Sequence, residues 1–188
     1  MIQIKSISKA FEGKKVLSDV SFSVKKGECV ALTGASGAGK TTLMRIIAGL
    51  EKPDSGEIIF TGTPRQTYVF QENRLLNNIS VLENILAVAP DKKRALYLLE
   101  RLELSEDKNK KAGDLSGGMK RRLAIARALC FSGDIYYLDE PLRELDSELA
   151  DKTAALIKEE IKGKTALLIT HDENYLNYLA DRTVYIGK

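Results

Sequence analysis

The nine residues Gly34-Ala35-Ser36-Gly37-Ala38-Gly39-Lys40-Thr41-Thr42 constrain this chain more than any other stretch. They satisfy G-x-x-x-x-G-K-[ST], a loop whose backbone N–H groups cradle phosphates. Four of the nine are Gly or Ser, so the backbone can curl until successive N–H groups share one concavity. Opening onto a helix N-terminus, such a nest is a partial positive charge suited to a polyphosphate. In this pattern Lys40 reaches the β- and γ-phosphates and the Thr41 hydroxyl binds Mg²⁺. The flanks fit: Cys29-Val30-Ala31-Leu32 reads as a buried strand, and Leu43, Met44, Ile46, Ile47 and Leu50 recur at helical spacing.

The rest of the chain reads as α/β. Ile2 and Ile4 alternate with polar residues, as does Val20-Ser21-Phe22-Ser23-Val24, which predicts half-buried strands in the opening third. Pro53-Asp54-Ser55-Gly56 is a turn, with strand candidates at Glu57–Phe60 and Thr67–Phe70. From Val81 to Leu104 the pattern is helical, with Leu96, Leu99 and Leu102 on one face and Pro90 as an interruption. Ser105–Gly113 is polar loop, and the helical pattern resumes at Gly117 with Leu123, Ala124, Ala126, Leu129 and Cys130. Ile135–Leu138 and Ala166–Ile169 are apolar on both faces, as parallel strands covered by helices are. Between them Ser147–Lys162 is a helix with Leu149, Leu156, Ile157 and Ile161 inward; Asp172–Leu179 is a short helix and Val184–Ile186 a last strand.

Length and charge narrow the class. One domain is expected at 188 residues, and a net charge of +3 with no long basic block argues against nucleic acid. The N-terminus lacks the apolar core of a secretory signal, and no apolar stretch is long enough to span a bilayer. Direct membrane insertion is therefore not expected. Cys29 and Cys130 form no C-x-x-C pair and read as reduced core thiols of a cytosolic protein.

Six elements in order resemble the ATPase subunit of ATP-binding-cassette transporters. Gly34–Thr42 matches the first nucleotide motif. Gln71 follows a strand as in the Q-loop, and Leu115-Ser116-Gly117-Gly118-Met119 is similar to the signature LSGGQ. Ile135–Glu140 resembles the second nucleotide motif, Leu145-Asp146 the end of the D-loop, and His171 the switch histidine. The resemblance covers essentially the whole chain. It implies an α/β P-loop NTPase (RecA-like) parallel-sheet core, with an antiparallel β subdomain and an inserted helical subdomain at roughly 72–130 of one domain, 1–188.

The same resemblance implies the site. ATP would contact Gly34, Ala35, Ser36, Gly37, Ala38, Gly39, Lys40, Thr41 and Thr42, with Gln71 nearby. Phe11 resembles the adenine-stacking aromatic, a core Phe being the alternative. Asp139, ending an apolar strand, can hold a Mg²⁺ water together with Thr41 and Gln71. Glu140 is placed as general base, with Lys40 and His171 as the other catalytic groups; the alternative for a lone His after a buried strand is a structural role. Ser116, Gly117 and Gly118 at a helix start form a second anion site, which the family uses for the nucleotide of the opposite subunit. Two chains would then close head-to-tail around two ATP molecules, in a homodimer or with a similar subunit.

Further along, Val69–Leu76 and Val81-Leu82-Glu83-Asn84 look like importer subunits of the nitrate, sulfonate and taurine type. In the family, the Gln71–Val81 region receives a helix of an integral-membrane permease subunit. Leu75, Leu76, Ile79 and Val81 would line that groove, or else belong to the core of the insert. The expected location is cytoplasmic, peripheral to the inner face of the cell membrane. The rival reading is a soluble cassette ATPase acting as a nucleotide-switched scaffold in cofactor assembly or cell-envelope remodelling. Four departures stand out: Met119 replaces the commoner Gln, Leu142–Asp146 lacks the usual small pair of the D-loop, the stretch between Lys40 and Gln71 is somewhat short, which predicts a trimmed antiparallel sheet, and no C-terminal regulatory domain is expected after His171.

Overall fold

In a computed structural model describing residues 1–187, β1 (Ile2–Phe11) and β2 (Lys14–Val24) form an antiparallel hairpin. Glu12 and Gly13 close it, both at positive φ (48° and 79°), the backbone that a tight two-residue hairpin turn needs. β4 (Ser55–Phe60) joins the other edge of β1, giving a three-stranded antiparallel sheet in the order β2-β1-β4. Both strands of the hairpin run longer than the alternation predicts. Irregular register between Ile4 and Ile7 and between Ile7 and Lys9 interrupts the inward-outward rhythm without ending the pairing.

This sheet belongs to the first of two compact units, made of Met1–Gln66, Asp134–Asp139 and the segment from Gly163 onward. The unit also holds the parallel strands β3 (Cys29–Thr33), β6 (Ile135–Asp139), β7 (Thr165–Ile169) and β8 (Arg182–Tyr185), side by side as β6-β7-β3-β8. Every residue of β6 and β7 is buried, as the continuous apolar runs predict. α1 (Lys40–Ile47) follows β3 and α6 (Glu173–Leu179) follows β7. α1 stops because Gly49 turns left-handed (φ 73°): Gly49 N–H donates to Ile46 O and Leu50 N–H to Arg45 O. Leu50, expected on the buried face, therefore falls outside the helix and is 53% exposed. β5 (Gln66–Val69) begins here with Gln66, whose side-chain oxygen accepts the buried Tyr137 hydroxyl at 2.7 Å, and carries the chain out of the unit.

The second unit comprises Thr67–Gly133 and Glu140–Lys162 and is helical: α2 (Val81–Leu86), α3 (Lys92–Arg101), α4 (Gly117–Phe131) and α5 (Ser147–Glu160). α2 starts in a capping box of Ser80 and Glu83. Pro90 separates α2 from α3 as expected, but α3 restarts in a different phase. Its inward residues are Ala95, Leu98 and Leu99, followed by buried Leu102, while Leu96 turns outward. In α5 the buried residues include Ala150, Ala154, Leu156 and Ile157; Leu149 is only half-buried. α4 is buried on most of its faces. Arg94 pairs with Glu160, and Arg101 with Glu159 at 3.0 Å, tying α3 to α5. Among the described residues no helix is long and apolar enough to cross a membrane. Both cysteines are buried and outside any disulfide, and burial pushes the Cys130 pKa upward.

Gly34 has no room for a side chain. Gly34 has φ 141°, and a Cβ there would lie 2.1 Å from the Ile186 carbonyl oxygen, just past β8. Ile186 N–H in turn donates to Thr33 O at 2.7 Å, so the backbone after β8 cannot retreat without losing that bond. Gly37 also has positive φ (73°) but open space around it. Gly34→Ala should lower the thermal midpoint by roughly 6 °C or more, and Gly37→Ala by only about 2–4 °C, since strain without collision costs about 1 kcal/mol. Equal shifts in calorimetry would contradict this packing.

Candidate nucleotide site

The phosphate loop joins β3 to α1 within the first unit. Gly39 precedes α1 with left-handed backbone (φ 92°), and no side chain caps the helix start. Lys40, the first helical residue, is 7% exposed and donates to Gly34 O at 2.8 Å and Ala35 O at 2.9 Å. The loop is further closed by Ala38 N–H donating to Ala35 O at 3.1 Å. A cavity of about 240 Å³ opens beside it, lined by Ala35–Ala38 and Tyr185–Gly187. An uncapped helix start beside a buried ammonium is a concentrated positive field suited to phosphate oxygens.

The Thr41 hydroxyl donates to Asp139 Oδ1 at 3.4 Å, and Asp139 is 1% exposed at the end of β6. These oxygens are the hard donors that Mg²⁺ takes, and two protein ligands suit an ion that keeps water and substrate phosphate as its other partners. No cluster of three or more His, Cys, Asp or Glu side chains able to hold a metal occurs among the described residues. His171 is exposed in the turn between β7 and α6, where Asp172 caps the helix through the N–H groups of Asn174 and Tyr175. That exposure removes a core role for the histidine. Phe11 is likewise no core residue: it is 45% exposed at the hairpin end, with the Lys9 ammonium 5.1 Å from its ring centre.

Within the second unit, the signature stretch begins α4. Ser116 is the N-cap and accepts from Met119 N–H at 3.3 Å, while Gly117 is the first helical residue. The residue that organises this unit is one that sequence reasoning passed over. Arg121, 1% exposed on α4, donates to the carbonyls of Phe70 and Glu140, to Pro141 O at 3.0 Å, and to Gln71 O at 3.5 Å and Asn73 Oδ1 at 3.4 Å. One planar guanidinium thus gathers the Q-loop, the backbone of Glu140 and the helix that starts at Ser116–Gly118. Glu140 itself holds left-handed backbone (φ 51°). A fork with five N–H donors can satisfy that many carbonyls; Lys cannot.

Asn84 was also missed. Fully buried on α2, it accepts from Leu76 N–H at 2.9 Å and donates to Leu76 O and Ser80 O, both at 3.0 Å. It therefore pins the segment between the Q-loop and α2. Of the proposed groove residues, Val81 is fully buried and belongs to the core, because it sits at the capped helix start facing inward. Leu75 and Ile79 are half-buried, and Leu76 is 51% exposed. The first unit brings together Gly34–Thr42 and Asp139, and the second Gln71, Glu140 and the Ser116–Gly118 helix start.

Comparison with known proteins is consistent with this geometry. The family profile described as "ABC transporter" matches residues 17–143. The aliphatic sulfonates import ATP-binding protein SsuB of Zymomonas mobilis is 41% identical, over all of this chain and 82% of its own length. The spermidine/putrescine import ATP-binding protein PotA of Mesoplasma florum is 36% identical over all of this chain, which spans 59% of that protein. The sulfate/thiosulfate import ATP-binding protein CysA 2 of Rhizobium meliloti is also 36% identical, and the chain spans 57% of it. A solved dimeric ATP-binding cassette in a post-hydrolysis state with ADP and phosphate superposes with a TM-score of 0.90 at 32% identity, covering 100% of this chain and 94% of that one. The chain belongs to the ABC transporter family, as one of its ATP-binding cassettes.

Proposed function

We propose that this chain, a single cassette with an inserted helical subdomain, is the ATP-hydrolysing subunit of an importer and works as a pair. The observation that carries the reading is the presence of two phosphate-seeking helix starts in one small chain. One lies at Gly39–Lys40, beside the buried ammonium; the other lies at Ser116–Gly117. A single bound nucleotide has one γ-phosphate, so a second chain gives the second helix start its work. A dimeric cassette among the structural relatives, and import proteins among the sequence relatives, support it.

In this mechanism Gly34–Thr42 bind the phosphates, Phe11 stacks on the base and Lys40 stabilises the transferred charge. Mg²⁺, when bound, would be held by Thr41 and Asp139 with Gln71 beside them, and supplies neutralisation of phosphate oxygens. Glu140 takes a proton from the attacking water, and His171 contacts the γ-phosphate. Ser116–Gly118 of the opposite chain close over that phosphate, so hydrolysis removes the bridge between chains. A membrane permease subunit docks at the Gln71–Val81 region, where exposed Leu76 is the apolar contact, and the pair sits at the cytoplasmic face through that partner. The substrate class of SsuB, an aliphatic sulfonate, is the cargo class that the identity favours.

Three measurements test this reading. Lys40→Ala should reduce phosphate release by about 10³-fold or more; substantial residual turnover would remove the loop from the chemistry. Glu140→Gln should form a stable dimer in light scattering at saturating ATP, and a monomer there would count against the paired site. Arg121→Gln should lower kcat by at least about tenfold while changing the ATP KM by less than about threefold, because it misplaces Glu140 and Gln71 without touching the phosphate loop. A rise in KM alone would contradict the positioning role of Arg121.

A further inference from the structure

We propose that Glu144 is a built-in occupant of the second phosphate subsite and sets how much ATP is needed to close two chains. The inference rests on the reading of Ser116–Gly118 as a γ-phosphate subsite and adds a residue that opposes it. Between Glu140 and α5 the chain makes a tight turn: Arg143 N–H donates to Glu140 O at 3.2 Å and Leu145 N–H to Leu142 O at 3.4 Å. Glu144 takes left-handed backbone in that turn (φ 69°), which folds it back over the start of α4. A Cβ built on Gly117 would lie 2.8 Å from Glu144 Oε2, and one on Gly118 would lie 2.9 Å from Glu144 O and 3.5 Å from Leu145 Cδ2. The carboxylate therefore rests against the backbone of Gly117, at the helix end that attracts anions.

The physical consequence is competition. α4 is 15 residues long, so its N-terminus carries the full partial positive charge of a helix. The Glu144 carboxylate lies in that field in the single chain, and a γ-phosphate arriving from another chain would meet a negative charge already in place. Both Glu144 and Gly117 are exposed, so the side chain can swing out, at the expense of its favourable interaction with the helix start. Two exposed charges about 4 Å apart in water repel by an amount equivalent to several-fold in an equilibrium constant. A cassette with Glu144 should accordingly pair only at higher ATP than one with a neutral residue there.

The test uses the full chain carrying Glu140→Gln, so that hydrolysis does not drain the dimer. The ATP concentration at half-dimerisation is read by light scattering, alone and with Glu144→Gln or Glu144→Ala added. The expected result is a midpoint lower by about three- to tenfold in both. An unchanged or higher midpoint, or a lowered melting temperature with no change in midpoint, would overturn the inference and leave Glu144 as a partner of the helix start alone. A shift with Ala but none with Gln would overturn it too, since the charge and not the bulk is the stated cause. If the Glu140→Gln chain stays monomeric at saturating ATP, the paired site itself fails and takes this inference with it.

Discussion

The buried ammonium of Lys40 is the interaction on which the first unit depends. Burying a cation is costly unless it is hydrogen-bonded, and the carbonyls of Gly34 and Ala35 bend inward to meet it. That geometry dictates the loop. It requires left-handed backbone at Gly37 and Gly39, close approach of Gly34 to the backbone after β8, and a helix start with no side-chain cap. The strands on either side have little freedom left: β3 delivers the loop, and β6 delivers Asp139 to the Thr41 hydroxyl. The same burial that makes Lys40 expensive makes an anionic partner valuable, which is why a polyphosphate fits there.

The second unit answers to another buried cation. Arg121 stands on the helix that Ser116 caps, and its guanidinium holds the Q-loop backbone and the Glu140–Pro141 backbone at once. Any movement of α4 is thereby felt at Gln71 and Glu140. A hydrogen bond to a charged group is worth about 1.5–3 kcal/mol, so Arg121 ties the three segments firmly together. The helix that starts at Ser116–Gly118 is thus tied by hydrogen bonds to the backbone of Gln71 and Glu140, and Glu144 lies against that same N-terminus.

Much of this was legible in the residues. The phosphate loop, the doubly apolar runs of β6 and β7, and the Ser116 cap are local patterns, and each appears where the pattern predicts it. The β1–β2 hairpin was only partly legible because bulges break its alternation. Leu50 and Leu96 misled because helical spacing says nothing of where a helix stops or restarts: Gly49 ended one helix and Pro90 reset the phase of another. Arg121, Asn84 and Glu144 were opaque for a different reason. Their partners lie as far as 51 positions away in the chain, and no spacing rule connects Arg121 to Phe70 or Glu144 to Gly117.

Whether each site is built from two chains is decided by complementation. One chain carries Lys40→Ala and the other Gly117→Asp, whose Cβ meets the movable end of Glu144. Each is expected to be inactive alone. Mixed in equal amounts, random head-to-tail pairing gives half the dimers one intact site of two, so phosphate release should recover to about a quarter of the unmodified rate. A mixture as inactive as its parts would contradict a site shared between chains.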